Sequence, residues 1–363
     1  MVEESETPDY YEFYDYDNEN DTEESCPSQD MPQANWILPI LYSVFFIVGF
    51  IGNVVVMIVL FKRSSRRADT FILNLAVSDF IFVLTLPMWS SSLALGGYWP
   101  FGIDLCRASG FIIAVSRCAS SMLMAVMSVD RYLAVRKGQK VHPLRVHTCS
   151  FVTCCTIWAF SILTGVPTLI YRRIDNITLG CVEYSESPVY AGLKLSTVII
   201  TFVLPFLIVV FCYCSMAKYL WSYFGGKKDT ANGMMKRRSR HSWLRIVFCV
   251  VAAYSLSWFP FTILNTVKLV SNLGIDLPCH LWTATEQALT AAAALAFANS
   301  CTNPLIYTFL DAGFRRRARQ ILPWLLSNCC TFKQLSIRGW SVSTTLRSME
   351  STSYTDSVGR QSA

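Results

Sequence analysis

Seven apolar runs, each long enough to cross a lipid bilayer, constrain the fold of this chain more than any other feature of its sequence. A transmembrane helix needs about 20 consecutive, mostly apolar residues. Five runs contain no charged residue: Trp36–Phe61, Thr148–Tyr171, Leu195–Ala217, Ile246–Val267 and Gln287–Leu310. The other two carry few charges, namely Asp79 in Thr70–Leu95 and Arg107, Arg117, Asp130 and Arg131 in Leu105–Val135. The predicted fold class is therefore an all-α membrane protein with a bundle of seven transmembrane helices.

The distribution of basic residues predicts how the chain is oriented in the membrane, because cytoplasmic loops of membrane proteins are enriched in Lys and Arg. With the N-terminus outside, the cytoplasmic parts are residues 62–69, 136–147, 218–245 and the tail after 311. Together with Arg131 they hold 25 of the 31 Lys and Arg residues. We therefore expect a multi-pass plasma-membrane protein with an extracellular N-terminus and a cytoplasmic C-terminus. The net charge of +6 then reflects membrane topology and not nucleic-acid binding.

The two ends of the chain differ from the membrane domain, residues 36–310. Residues 1–35 hold twelve of the 25 acidic residues and no basic one, which predicts a disordered extracellular tail. This tail either attracts a basic partner or only solvates the protein, and its candidates for sulfation are Tyr10, Tyr11, Tyr14 and Tyr16. Residues 311–326 predict an amphipathic helix that contacts membrane lipids. Residues 327–363 predict a disordered, Ser/Thr-rich cytoplasmic tail, in which Cys329 and Cys330 are candidates for palmitoylation.

Four of the fourteen cysteines fall on the expected outer side of the membrane: Cys26, Cys106, Cys181 and Cys279. Disulfides persist in the oxidising exterior, and four cysteines allow three different pairings. The sequons that begin at Asn20 and Asn176 fall on the same side, so both asparagines are candidates for glycosylation.

Short motifs follow one another on separate apolar runs. They are GNVVV with Asn53, LNLAVSD with Asp79, DRYLAV from Asp130, Trp158, Pro205 with Tyr213, SWFPF with Trp258 and Pro260, and NPLIY from Asn303 to Tyr307. This series closely resembles the pattern of class A (rhodopsin-like) G-protein-coupled receptors, and the resemblance covers all seven runs. It implies a signalling receptor whose partners are a heterotrimeric G protein, receptor kinases and arrestin.

Further motifs are similar to those of the chemokine and chemoattractant receptors, near the long-orphan receptors beside them. They are TLP (Thr85–Pro87), WPFG (Trp99–Gly102), FCYC (Phe211–Cys214), SRR (Ser65–Arg67) and LAFANSC (Leu295–Cys301). The resemblance implies a secreted peptide or chemokine-like ligand and coupling to the Gi/o class. It also implies the disulfides Cys106–Cys181 and Cys26–Cys279.

The resemblance gives the charge pair Asp130–Arg131 a function. A charge within a transmembrane segment costs about 2.5–3.5 kcal/mol on insertion scales, so such charges are usually paired and functional. In the family, outward movement of the sixth helix exposes this arginine to the G protein. The residues that the resemblance assigns to activation are Asp130, Arg131, Tyr132, Tyr213, Trp258, Pro260, Asn303, Pro304 and Tyr307. The alternative for the charge pair is an ordinary ion pair at a helix end.

Asp79 is expected in the middle of the membrane, with no basic residue three or four positions away. The resemblance implies an allosteric sodium site that Asp79 shares with Ser120, Asn299 and Asn303. Oxygen ligands suit a hard cation. The alternative is a protonated carboxyl group in a polar network, and no other metal or cofactor is expected.

Cationic residues are predicted to line the ligand pocket. Many chemokine receptors carry an acidic residue in the seventh helix where this chain has Ala293, whereas Arg117 lies within the third run. Together with Lys194 and Lys268, Arg117 predicts a cationic site for an acidic group, such as the terminal carboxylate of a peptide. The alternative is that Arg117 pairs internally, with Glu286 or with polar backbone groups. Tyr42 and Trp89 are expected to form aromatic walls, or else to be plain packing residues.

The sequence disfavours four functions other than that of a signalling G-protein-coupled receptor. A scavenging or arrestin-biased receptor of the same fold is disfavoured by the intact DRYLAV and NPLIY motifs. A retinal protein would need a lysine in the seventh run for a Schiff base, and none is present. A transporter is disfavoured as well, because the sequence shows no inverted-repeat pattern of broken helices. An enzyme is not expected, because the four histidines (His142, His147, His241 and His280) have no metal-binding spacing.

Overall fold

The computed structural model describes residues 34–62, 67–137, 143–183, 188–224, 231–271, 278–321 and 323. In these ranges the helices are α1 (Ala34–Lys62), α2 (Arg67–Val83), α3 (Leu86–Ala94), α4 (Gly102–Lys137), α5 (Pro143–Tyr171), α6 (Pro188–Val198), α7 (Leu204–Phe224), α8 (Ala231–Ser271) and α9 (Cys279–Leu310). A further helix, α10, covers residues 312–321. The second span consists of α2 and α3, and the fifth consists of α6 and α7 joined by a π-helical segment, Ile199–Val203.

Six of the described spans are long and apolar enough to cross a membrane, and the seventh, α9, differs from them in polarity. Its 32 residues suffice for a span. However, Asn299, Ser300 and Asn303 lower its hydropathy, and all three side chains are buried inside the bundle. The polar side chains of α9 therefore face protein and not lipid, as expected for polar residues within a membrane.

Proline marks the irregular points of two spans. The second span breaks at Thr85, whose amide and hydroxyl both donate to the Phe82 carbonyl, at 3.0 and 2.8 Å. Pro87 follows two residues later and has no amide hydrogen for a regular helical bond. In the fifth span the π-helical segment ends just before Pro205. Pro205 has no amide hydrogen for a regular helical bond either, and the structure has a π turn at that place.

Close contacts between α1 and α9 hold the first and seventh spans together. Asn53 is fully buried, and its Nδ2 donates to the carbonyl oxygens of Gly49 (2.9 Å) and Ser300 (3.0 Å). A Cβ atom on Gly52 would lie only 2.8 Å from Pro304, so glycine is required for this approach of the two helices. The GN pair of the first span therefore has a packing role.

A β-hairpin covers one end of the bundle, which we call the hairpin end. Strands β1 (Arg172–Ile174) and β2 (Cys181–Glu183) pair antiparallel, with Arg172 opposite Glu183. In the turn between them, the Asp175 carboxylate accepts hydrogen bonds from the amide and hydroxyl of Thr178, which lower its pKa. The disulfide Cys106–Cys181 ties β2 to α4, which confirms this predicted pair.

The opposite end of the bundle, which contains Asp130 and Arg131, is called the Arg131 end. Helix α10 lies there and is fastened in three ways. The Asp311 carboxylate accepts from the amides of Gly313 and Phe314, as an N-cap. Arg315 donates to the last carbonyls of α9, and Arg317 pairs with the buried Asp69 of α2 at 3.1 Å.

Candidate functional site

A cavity of about 500 Å³ lies inside the bundle at the hairpin end. Its walls are mostly apolar and aromatic, as is usual for ligand pockets. Tyr42 and Trp89, which the sequence predicted as aromatic walls, both line it. Tyr42 packs on Phe297 with ring centroids 5.1 Å apart, and Trp89 packs on Trp99 at 4.9 Å. Among the described residues, the charged groups that line the cavity are Arg117, Arg172, Glu183 and Lys194.

Arg117 connects α4 to α8 inside this cavity. Its Nη2 donates to the Thr262 hydroxyl at 2.8 Å, and its guanidinium carbon lies 4.8 Å from the centroid of the Trp258 ring. Its Nε is buried without a hydrogen-bond partner in the described part of the chain, and no described carboxylate lies within salt-bridge distance. A buried cation without a counterion is unfavourable, so the cavity favours an anion at this position.

The two lysines of the predicted cationic site are arranged differently from the expectation. Lys194 lines the cavity but pairs with Glu183 of the hairpin at 2.6 Å. Burial alone would raise the pKa of Glu183, but the charges of Lys194 and Arg172 outweigh burial and hold its pKa below the usual value. This carboxylate is therefore ionised at neutral pH and neutralises Lys194.

Lys268 and Glu286 are outside the cavity lining. They pair with each other at 2.6 Å, across the hairpin-end parts of α8 and α9. Two expectations are corrected by this contact: Lys268 does not join Arg117 in one cationic site, and Glu286 is not the internal partner of Arg117. The reason is that these two side chains satisfy each other at the rim, where both are about one third exposed.

Arg172 is a cavity residue that the sequence analysis missed. It lies 5.2 Å from the Trp89 ring, and its Nη1 is 3.3 Å from the Cys181 sulfur. Burial lowers the pKa of this guanidinium. The Arg172 side chain packs over Gly110, where an added Cβ would lie only 2.2 Å from Nε. Gly110, a glycine within a helix, was the one sign in the sequence that a large side chain packs there. That this side chain is Arg172 could not be predicted, because it depends on how the hairpin lies against α4.

A polar network occupies the middle of the bundle below this cavity. The Asp79 carboxylate is 2% exposed and accepts a hydrogen bond from Asn303 Nδ2 at 2.7 Å. The Ser120 hydroxyl lies 3.1 Å from the Ser78 hydroxyl. The side-chain oxygens of Asn299 and Asn303 are buried and accept no hydrogen bond from any described group. These two oxygens and the carboxylate can therefore still coordinate a cation, or the carboxylate can carry a proton.

The Arg131 end is closely packed. Arg131 pairs with Asp130 at 3.5 Å, and both are mostly buried. Three aliphatic side chains of α8, those of Ile246, Val247 and Val250, lie with Arg131 and Tyr307 around a void of only about 10 Å³. Helix α8 therefore covers Arg131 in this structure.

Two tyrosines at the Arg131 end have buried hydroxyl groups. Neither the Tyr213 nor the Tyr307 hydroxyl has a hydrogen-bond partner among the residues that the structure describes. Tyr132 differs, because its hydroxyl accepts a hydrogen bond from Arg136 and its ring packs on Phe211. An unpaired buried hydroxyl costs about 1–3 kcal/mol, so movement that supplies a partner would be favoured.

Comparison with known proteins assigns this arrangement to a family. The model of the 7 transmembrane receptor (rhodopsin family) matches residues 52–307, which is more than half of the chain. The chain belongs to this family. It is a class A G-protein-coupled receptor and a multi-pass membrane protein, and not an enzyme, as the sequence predicted.

Several curated relatives match most of the receptor. A mouse (Mus musculus) protein, "Probable G-protein coupled receptor 25", is 39% identical over 82% of both chains. Mouse "G-protein coupled receptor 15" is 36% identical over 84% of both chains. "Apelin receptor A" of Danio rerio is 33% identical over 87% of this chain and 90% of the relative. These relatives support the predicted placement near the chemokine receptors.

A sodium ion, which the family implies at Asp79, fits the residues of the polar network. One carboxylate and the oxygens of Asn299 and Asn303 form a donor set of the kind that hard cations prefer. Both amide oxygens are buried and unpaired within the described ranges. Ser120 can contribute a lone pair while it keeps its contact with Ser78.

Several predicted sites lie outside the described residues. They are Cys26, Asn20, the tyrosines Tyr10, Tyr11, Tyr14 and Tyr16, and the cysteines Cys329 and Cys330. Cys279 is disulfide-bonded, and Cys26, its predicted partner, is not described. Asn176, by contrast, is exposed in the hairpin turn, where a glycan would have space.

Proposed function

We propose that this receptor binds a secreted peptide or small chemokine-like protein at the hairpin end, which faces outside the cell, and activates a G protein of the Gi/o class. Two observations support the type of ligand. The cavity is large enough for a peptide end, and one relative bears the name of a receptor for apelin. The excess of basic residues in the segments at the Arg131 end supports the orientation.

The proposal depends on Arg117. Its guanidinium donates to the Thr262 hydroxyl, lies over the Trp258 ring and has no carboxylate within salt-bridge distance among the described residues. A ligand carboxylate could form a bidentate, charge-assisted pair with it. We infer that the acidic end of the ligand, such as a free C-terminal carboxylate, binds at Arg117.

The same contacts provide a route from ligand to G protein. An anion at Arg117 competes with Thr262 and Trp258, which are both on α8. Pro260 lies between these two residues and interrupts the helical hydrogen bonds, which permits bending there. Release of α8 at the cavity then allows its other end to move away from Arg131 and to expose the G-protein site. In that open state, the Tyr213 and Tyr307 hydroxyls can acquire partners.

A peptide screen tests this proposal directly. Secreted peptides, each prepared with a free carboxylate and with an amidated C-terminus, are applied to cells while G-protein dissociation is recorded. The expected active peptide loses potency on amidation in the wild-type receptor, by about tenfold to a hundredfold for one charge-assisted contact. In Arg117→Ala the two forms should be equally weak, because the group that distinguishes them is absent.

Arg173→Ala is the matched control, since Arg173 is an exposed arginine of the β-hairpin at the same end of the bundle and does not line the cavity. It should retain the difference between the two peptide forms. Equal potency of the carboxylate in wild type and Arg117→Ala, at equal surface expression, would contradict the anion site. Arrestin recruitment without G-protein dissociation would support the scavenging or arrestin-biased alternative instead.

A further inference from the structure

A second cavity lies on the membrane-facing surface of the receptor. It is a groove of about 450 Å³ between the fifth span and α8. Val203, Ile263, Val267 and Val270 line its sides, and each of them is more than one third exposed on the outside of the bundle. The groove is therefore separate from the ligand cavity and is open to lipid.

The chemistry of the groove changes along its length. Its end nearer the membrane centre is closed by Phe202 and Phe259, whose rings lie 6.0 Å apart. Its hairpin end contains Ser271, the last residue of α8. Two threonines also line it, but their hydroxyls are used within the protein: Thr262 accepts from Arg117, and Thr266 donates to the Thr262 carbonyl at 2.7 Å. An apolar body with one hydroxyl at the membrane surface is complementary to this arrangement.

We propose that this groove binds a membrane sterol, with its rings between the π-helical segment of the fifth span and α8 and its hydroxyl at Ser271. The β-branched residues along the groove have restricted rotamers and form a stiff wall, which suits a rigid ring system. A sterol also loses less conformational entropy on binding than a flexible acyl chain. A phospholipid headgroup would need a cation at this end, and the nearby Lys268 already pairs with Glu286.

The groove and the ligand cavity share part of their walls. Val198 lines both, and Thr262 lines the groove while it holds Arg117. A sterol in the groove therefore contacts the turn of α8 that carries the contact to Arg117. The π-helical segment contributes residues to both sides, with Thr201 in the cavity and Phe202 in the groove.

Photolabelling with a sterol that carries a diazirine on its rings tests this inference, and it requires no receptor ligand. The full-length receptor is labelled in cell membranes, and the labelled peptides are mapped by mass spectrometry. Label is expected in residues 198–203 and 263–271, and excess unlabelled sterol should compete with it. Ile263→Trp fills the groove and should lower this labelling by at least about fivefold.

Two further variants make the result specific. Leu163→Trp places the same side chain on the exposed face of α5, where Leu163 is 68% exposed, and should leave the labelling unchanged. Ser271→Ala removes only the hydroxyl and should weaken labelling about twofold to tenfold, the range for one hydrogen bond. If Ile263→Trp reaches the cell surface poorly, the labelling of Ser271→Ala still tests whether the sterol binds in the groove.

Three results would overturn the assignment. Label spread evenly over all exposed spans would indicate bulk lipid, and undiminished label in both groove variants would place the sterol elsewhere. Displacement of the label by phosphatidylcholine but not by free sterol would identify an acyl-chain site. None of these outcomes depends on whether a peptide activates the receptor.

Discussion

The hairpin end and the Arg131 end of this receptor treat a buried arginine in opposite ways. Arg117 faces an open cavity of about 500 Å³, whereas Arg131 borders a void of about 10 Å³ under three aliphatic residues of α8. Arg117 has no carboxylate partner among the described residues, and Arg131 pairs with its neighbour Asp130. The first arginine is ready to accept an anion, while the second becomes accessible only if α8 moves.

This difference indicates that the free-energy cost of activation arises mainly at the Arg131 end. The hairpin end can bind without large rearrangement, because its cavity already exists. The Arg131 end must lose apolar contacts of α8, at about 25 cal/mol per Å² of apolar surface exposed. A ligand can shift this equilibrium only by binding the open state more tightly than the closed one.

The largest effect is expected from removal of the bond that shapes the hairpin end. Replacing Cys106 and Cys181 by serine opens a loop of 75 residues, which costs about 4 kcal/mol. We expect surface expression, measured by flow cytometry with an N-terminal tag, to fall severalfold. Cys155→Ser changes a free, exposed cysteine and should have no effect. Normal expression of the double variant would show that the hairpin holds its position without the disulfide.

A second variant opens the Arg131 end. Ile246→Ala removes one of the side chains that cover Arg131 and costs about 2–5 kcal/mol of packing in the closed state. We expect basal G-protein activation to rise, as measured by dissociation of the G protein in the absence of ligand. Leu256→Ala, at a position of α8 that is 72% exposed, is the control. Unchanged basal activity in Ile246→Ala would mean that these contacts do not hold the closed state.

The polar network around Asp79, which lies between the two ends, can be tested for sodium binding by exchanging the salt. If sodium binds at Asp79, it stabilises the closed receptor by about 1.4 kcal/mol at a concentration ten times its dissociation constant. The unfolding midpoint of the purified receptor should be higher in sodium chloride than in choline chloride, and Asp79→Asn should abolish this difference. If sodium still raises the unfolding midpoint of Asp79→Asn, the ion acts at another site and not in the polar network around Asp79.

The smallest effect on stability is expected for Tyr307→Phe. The hydroxyl that this change removes has no described hydrogen-bond partner, so the unfolding free energy should change by less than about 1 kcal/mol. Ligand-stimulated G-protein activation should nevertheless decrease, because the open state loses a partner that the closed state does not use. An equal decrease in stability and activation would show instead that Tyr307 acts through packing.

The apolar runs predicted the seven spans correctly, because the length and composition of a span are local properties of the sequence. The Cys106–Cys181 pair joins residues 75 positions apart, and it could be predicted only through the resemblance to a receptor family. The seventh span was predicted because Gln287–Leu310 carries no charged residue, although Asn299 and Asn303 lower its hydropathy. The sequence could not give the charge pairing at the hairpin end. Which lysine meets which carboxylate depends on how the hairpin lies against the spans, and that register is set by tertiary packing.

The position of Arg172 in the cavity could not be predicted from the sequence either. Adjacent basic residues at 172 and 173 look equivalent in sequence, but alternation along β1 turns Arg172 toward Trp89 and leaves Arg173 exposed. The π-helical segment before Pro205 was likewise not predictable, because a proline permits several local distortions and packing selects one.

The attachment of α10 has a consequence for any protein that meets the receptor at the Arg131 end. Because Arg317 is bound to the buried Asp69, the last described turn of the chain has a defined direction relative to the second span. Any protein that docks beneath the bundle encounters this helix as a fixed edge, and has to accommodate its position while it reaches for Arg131.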